Sequence, residues 1–130
     1  MTDLSTSYLG FRLPSPVVAS AGPMTGDVAV LEQLEEAGAG AVVLPSLFEE
    51  QIERVAFELE MALDTGRDVF AEATSYLPDL DAVDVGPNRH LALVEQARER
   101  VSIPVIASIN GVTPGGWVRY ARFLEDAGAD

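Results

Sequence analysis

Short apolar runs alternate with amphipathic stripes along this chain, and that alternation restricts it to an α/β fold. Val17-Val18-Ala19-Ser20, Ala41-Val42-Val43-Leu44 and Ile103 to Ile109 have the continuous apolar character of strands covered on both faces. After the first run, Val28, Leu31 and Leu34 recur at helical spacing among Glu32, Gln33, Glu35 and Glu36, and Gly38 stops the helix. Phe48, Ile52, Val55, Leu59 and Ala62 form a second stripe that closes at Gly66, with Glu49, Glu50, Glu53, Arg54 and Glu58 largely opposite. Leu91, Val94 and Val101 mark a third helix after Pro87. Trp117, Tyr120, Ala121 and Leu124 form the inward face of a last one, ending at Gly128. Strand–helix alternation predicts a parallel sheet in which each strand lies beside the one before it.

Punctuation residues sharpen the boundaries. Leu4 to Pro16 reads as a short β-hairpin turning near Gly10, with Pro14 and Pro16 keeping the chain extended into the first apolar run. Ala21-Gly22-Pro23 is a turn signal after that run. Pro45 is expected to end the second strand, and Ser46 with Glu49 has the S-x-x-E spacing of a capping box at a helix start. Val69 to Ser75 is read as a short strand and Tyr76 to Pro87 as a polar loop. Thr113-Pro114 has the pattern of a helix N-cap followed by proline in the first turn.

Two segments resemble each other: Leu34-Glu35-Glu36-Ala37-Gly38-Ala39-Gly40 and Leu124-Glu125-Asp126-Ala127-Gly128-Ala129-Asp130. Each is a helix end running into an Ala-Gly-Ala turn, and in the first the turn feeds a strand. About four strand–helix units are expected across residues 1–130, taken as one domain. That is about half of the eight in a closed (β/α)8 barrel, which typically needs ~250 residues. On periodicity alone, half a barrel and a complete small open-sheet domain both remain.

Composition excludes several functions. The formal charge of −13 opposes nucleic acid and anionic membrane as partners, since both are polyanions. With no cysteine, disulfides, thiolate zinc sites and thiol nucleophiles are ruled out. The single histidine, His90, is expected on a helix surface, and Asp79, Asp81 and Asp84 have no metal-ligand spacing. Residues 1–11 lack the basic start and apolar core of a signal peptide, so a cytoplasmic location is expected.

Tyr8-Leu9-Gly10-Phe11, Pro14 to Gly22, Leu34 to Phe48 and Ile103 to Asn110, in that order and spacing, resemble the dihydroorotate dehydrogenase family, notably its dihydroorotate dehydrogenase-like bacterial branch. The resemblance covers nearly the whole chain but only the N-terminal half of the family's TIM barrel. It implies FMN bound at the C-terminal ends of the strands, the face where barrel active sites lie. It also implies cofactor-binding roles for Ala19, Ser20, Ala21, Gly22, Ser46 and Asn110, and substrate-binding roles for Thr74 and Ser75. Small residues at 19–22 would let the backbone approach a flat ring, while the same residues also suit a plain tight turn. Ser46 equally suits a helix cap and Asn110-Gly111 a turn. Trp117 is read as helix packing rather than a flavin-stacking partner.

Two departures bear on substrate. Pro45 stands where the family's dihydroorotate oxidisers carry a lysine, and Ala73 where an asparagine would hold the pyrimidine. The leading expectation is an FMN-dependent oxidoreductase transferring hydride from a CH–CH donor, a small-molecule substrate of the kind met in pyrimidine metabolism, to the flavin. No catalytic residue or metal ligand is expected among these 130 residues, which alone should be inactive and should pair with a second copy or a missing C-terminal half. The alternative is a non-catalytic scaffold that keeps the barrel fold. A phosphorylated metabolite as substrate finds no glycine-rich phosphate loop here.

Overall fold

The computed structural model describes residues 2–54, 57, 60–61, 87–113 and 115–130. Strands β1 (Thr6–Tyr8) and β2 (Phe11–Leu13) pair antiparallel as the expected hairpin. Its two-residue turn carries positive φ at both Leu9 (51°) and Gly10 (86°), the backbone that matches strand twist in a tight hairpin. Leucine has a steric penalty in that region and glycine does not, so Gly10 is where the turn needs its residue type.

The second sheet is parallel, in the order β3 (Val18–Ala19), β4 (Ala41–Phe48), β5 (Val105–Asn110). Among the described residues, strands consecutive in the chain are neighbours in this sheet, and β4 is hydrogen-bonded directly to β5. The strand expected at Val69–Ser75 lies outside the described residues.

Helices α1 (Val28–Glu36), α3 (Pro87–Arg100) and α4 (Gly116–Asp126) supply the core against this sheet, and residues 49–54 begin an intervening helix, α2. Leu31, Val42, Leu44, Val94, Ala97 and Val105 are fully buried in one cluster, with Ala107 and Ile109 packed against it. Asp27 caps α1 by accepting the Ala29 N–H at 2.9 Å. Arg100 pairs with Glu32 at 3.2 Å, and Glu35 accepts the Ser102 N–H at 3.0 Å, tying α1 to α3.

The two look-alike segments end their helices in the same way. Gly38 (φ 95°) donates to the Glu35 carbonyl at 2.9 Å and Ala39 to the Leu34 carbonyl at 3.0 Å. Gly128 (φ 99°) donates to Glu125 at 3.0 Å and Ala129 to Leu124 at 2.9 Å. Both are Schellman motifs, which satisfy orphan carbonyls and require a left-handed residue at the glycine. Beyond each, the chain returns to a strand entry. Gly40 donates to the Val17 carbonyl at 2.7 Å, and Asp130 to the Val105 carbonyl at 2.9 Å.

Several boundaries differ from expectation. Pro45 does not end β4, which runs on to Phe48. The register passes from Val43↔Ile106 to Ser46↔Ser108, three steps on β4 against two on β5, so Pro45 sits in a β-bulge. A residue without an N–H cannot donate to the ladder, and a bulge is where a central strand tolerates one. Ser46 is therefore a strand residue and not a helix cap, and helical backbone starts at Glu49. Phe48, expected on a helical stripe, ends β4 and is 43 % exposed, and Val55, Leu59 and Ala62 lie outside the described residues. Thr113 does not cap α4. Gly115 takes that position without a side-chain bond, and the Thr113 hydroxyl goes to Glu49. Trp117 is 46 % exposed, so the buried face of α4 rests on Leu124 rather than on the tryptophan.

His90 is also not on the surface. It is 8 % exposed, one turn before buried Val94 on the inner face of α3. Among the described residues, no helix is long and apolar enough to cross a membrane.

Candidate functional site

Parallel strands bring their C-terminal ends to one edge of the sheet. At β4 and β5 the outer register pair is Phe48↔Asn110, with Ser46↔Ser108 two residues in. Side chains alternate along β5. Ala107 and Ile109 pack on the helix-covered core, so Ser108 and Asn110 face the other way. The Ser46 and Ser108 hydroxyls are 2.7 Å apart and half-buried, which places Ser46 on that same face. The bulge at Pro45 turns it there, because Leu44 points into the core.

The loop after β3 reaches the same end. A methyl group built at Gly26 would lie 3.3 Å from the Pro45 ring, so the turn at Pro23–Gly26 packs beside the bulge. Thr25, buried, organises this loop. Its hydroxyl accepts the Gly22 N–H at 3.2 Å and lies 3.0 Å from the Gly22 carbonyl, to which it can donate. Ser20 and Ala21 are exposed, and space beside Gly22 is open, the nearest atom to an added Cβ being the Ser20 carbonyl at 4.0 Å. Ala19 lies differently. It packs against the helix-covered core, so its methyl group lines the opposite face from Ser46 and Ser108.

The loop after β5 is held by Glu49. Its carboxylate accepts the Val112 N–H at 2.5 Å, the Thr113 N–H at 2.9 Å and the Thr113 hydroxyl. Those bonds, led by the Thr113 hydroxyl, hold the carboxyl below the usual glutamate range. The residue is 8 % exposed. Gly111 closes the other side of the loop, since a Cβ there would stand 2.6 Å from the Trp117 Cβ.

Of the residues singled out from sequence, Ser20, Ala21, Gly22, Ser46 and Asn110 thus share one end of the sheet, whereas Ala19 faces the core. Thr74 and Ser75, with Ala73, lie outside the described residues. Sequence reading missed Thr25, Ser108 and the clamp role of Glu49. Ser108 had a local signal, two residues before Asn110 on one strand and so on the same face. Glu49 and Thr113 are 64 residues apart in sequence, and nothing local links them. Among the described residues, no group of three or more histidines, cysteines or carboxylates is placed to hold a metal ion.

No protein-family model matches the chain. Its sequence is similar to that of a protein from Aeropyrum pernix provisionally named dihydroorotate dehydrogenase A (fumarate), 31 % identical over 126 residues. The match takes in 97 % of this chain but 38 % of the relative, so the chain spans well under half the relative's length. The described residues form a mixed α/β unit with a parallel three-stranded sheet, compatible with part of a barrel of the dihydroorotate dehydrogenase-like kind.

Proposed function

We propose that this chain forms one wall of the flavin site in an FMN-dependent oxidoreductase resembling dihydroorotate dehydrogenase. The observation that carries this reading is the grouping of the Ser20–Gly22 loop, the Ser46–Ser108 hydroxyl pair and Asn110 at the C-terminal end of a parallel sheet. The residues suit the group. An open, side-chain-free approach beside Gly22 admits a flat ring, and the hydroxyls and the amide offer both donors and acceptors to its polar edge or ribityl chain. Thr25 holds the backbone of that approach in place. When bound, FMN supplies the hydride acceptor for oxidation of a CH–CH donor. The residues of this chain are assigned binding and orientation, and none is assigned the proton transfer.

Pro45, built into the bulge, offers no cation for a substrate carboxylate, and with Ala73 it argues for a small-molecule substrate other than dihydroorotate. The same proline favours the second reading, a scaffold that keeps the fold without the chemistry. Purification of the natural gene product separates them. The flavin reading expects a yellow protein with about one FMN per chain and bleaching by substrate. A colourless protein that takes up no added FMN refutes it and supports the scaffold. The 130-residue chain alone should bind FMN weakly and turn over nothing. Stoichiometric uptake in an absorbance titration would contradict that. Sedimentation is expected to show it paired with a second copy or with a C-terminal half supplied in trans, and a stable lone monomer would count against this.

A further inference from the structure

We propose that Glu49 is a positioning residue for the ligand site, acting by clamping the loop that follows Asn110. This rests on the flavin-wall reading given above. Asn110 is the last residue of β5 and pairs in register with Phe48, so Glu49 starts α2 directly beside the exit of β5. From there its carboxylate collects three donors from two consecutive residues of the loop: Val112 N–H, Thr113 N–H and Thr113 Oγ. The Gly111 backbone also packs closely against Trp117. Residues 111–113 belong to no helix or strand, and their side chains are exposed, so apolar burial does little to hold them. Both N–H groups share one carboxylate oxygen and the hydroxyl takes the other. A glutamine can keep its oxygen on the two amides and donate to Thr113 Oγ, so it weakens the clamp only by removing the charge, whereas an alanine removes every acceptor. The clamp's effect would reach the ligand through Asn110, two residues before the first clamped N–H.

The test uses the natural gene product with FMN added, comparing wild type, Glu49→Ala, Glu49→Gln and Thr113→Val. Amide hydrogen exchange at Val112 and Thr113 and flavin affinity by fluorescence quenching are read side by side, with thermal unfolding as the check on folding. Glu49→Ala should speed exchange at both amides and weaken FMN binding about tenfold, the size expected from losing hydrogen bonds to a charged group. Thr113→Val, which removes one donor only, should weaken binding less, and adding it to Glu49→Ala should change nothing further. Glu49→Gln should recover part of both signals. If exchange speeds up while FMN affinity stays at the wild-type value, the positioning role is overturned and the flavin reading survives. If exchange is unchanged in Glu49→Ala, the clamp itself is overturned. Wild type that binds no FMN removes the flavin reading, and this inference with it.

Discussion

His90 offers a direct check on the packing of the core. It lies on the inner face of α3, 8 % exposed, and its Nε2 has no hydrogen-bond partner among the described residues. A buried polar atom left unsatisfied costs about 1–3 kcal/mol. Burial also holds the imidazole below the ordinary histidine value of 6.5, because desolvation penalises the charged form. The folded pKa is depressed, so above 6.5 both folded and unfolded states are neutral and stability is fully present. Below 6.5 the unfolded chain binds a proton that the folded chain refuses, and stability is lost as pH falls. The slope for one proton is at most about 1.4 kcal/mol per pH unit, so about 1.4 kcal/mol is the largest loss His90 can cause between pH 7.5 and 5.5. Because it is the only histidine, no other side chain of ordinary pKa titrates in that window. Urea unfolding at pH 7.5, 6.5 and 5.5 reads this directly, compared with His90→Leu, which fills similar space without the polar atoms. The variant should match or exceed wild-type stability at pH 7.5 and should lose the pH dependence between 7.5 and 5.5. A variant less stable by 1 kcal/mol or more, with its pH dependence intact, would refute the reasoning.

Other outcomes follow from single contacts. Gly40→Ala should destabilise by about 1–3 kcal/mol in urea unfolding, because its Cβ would stand 2.0 Å from the Ser15 carbonyl oxygen, a backbone atom that cannot swing aside. Ser46→Ala and Ser108→Ala should be coupled by about 0.5–1.5 kcal/mol in a double-mutant cycle, and strict additivity would mean that the 2.7 Å contact contributes nothing. Thr25→Val keeps the side-chain shape but strands the Gly22 backbone partners, so it should cost about 1–3 kcal/mol and speed amide exchange at Gly22. Gly128→Ala should cost roughly 1 kcal/mol because φ there is 99°, and a circular-dichroism melt at the wild-type temperature would contradict the assigned helix end.

Among the features legible in the sequence were those decided by near neighbours. Gly10 marked the hairpin turn, Gly38 and Gly128 marked two helix ends, and apolar runs between amphipathic stripes required a parallel sheet in chain order. In each case the physical cause lies within a few residues: a left-handed backbone only glycine adopts cheaply, or a periodicity that buries one face. Even the burial of His90 had a local trace, since Val94, Ala97 and Val101 lie four, seven and eleven residues beyond it on one helical stripe.

The candidate site was legible only in part. Ser20, Ala21, Gly22 and Asn110 were singled out by the family resemblance, and they lie together because strand ends of a parallel sheet share one edge. The family resemblance implied a site role for Ser46, with a helix cap as the alternative, and the structure makes Ser46 a strand residue. Its S-x-x-E spacing matched a capping box, yet pairing with β5 extended β4 past Pro45 and made it a strand residue. Tertiary pairing outweighs a local cap signal because several ladder bonds and buried side chains compete with one capping bond. The Ser46–Ser108 contact and the Glu49 clamp join residues 62 to 64 positions apart, and neither pattern nor propensity encodes such distances. The sequence by itself determined, among the described residues, the hairpin and the strand–helix alternation that makes the following strands parallel, but not where β4 ends. Only the tertiary structure decided which polar side chains meet at the strand ends, because that depends on register, and a single bulge at Pro45 sets the register there.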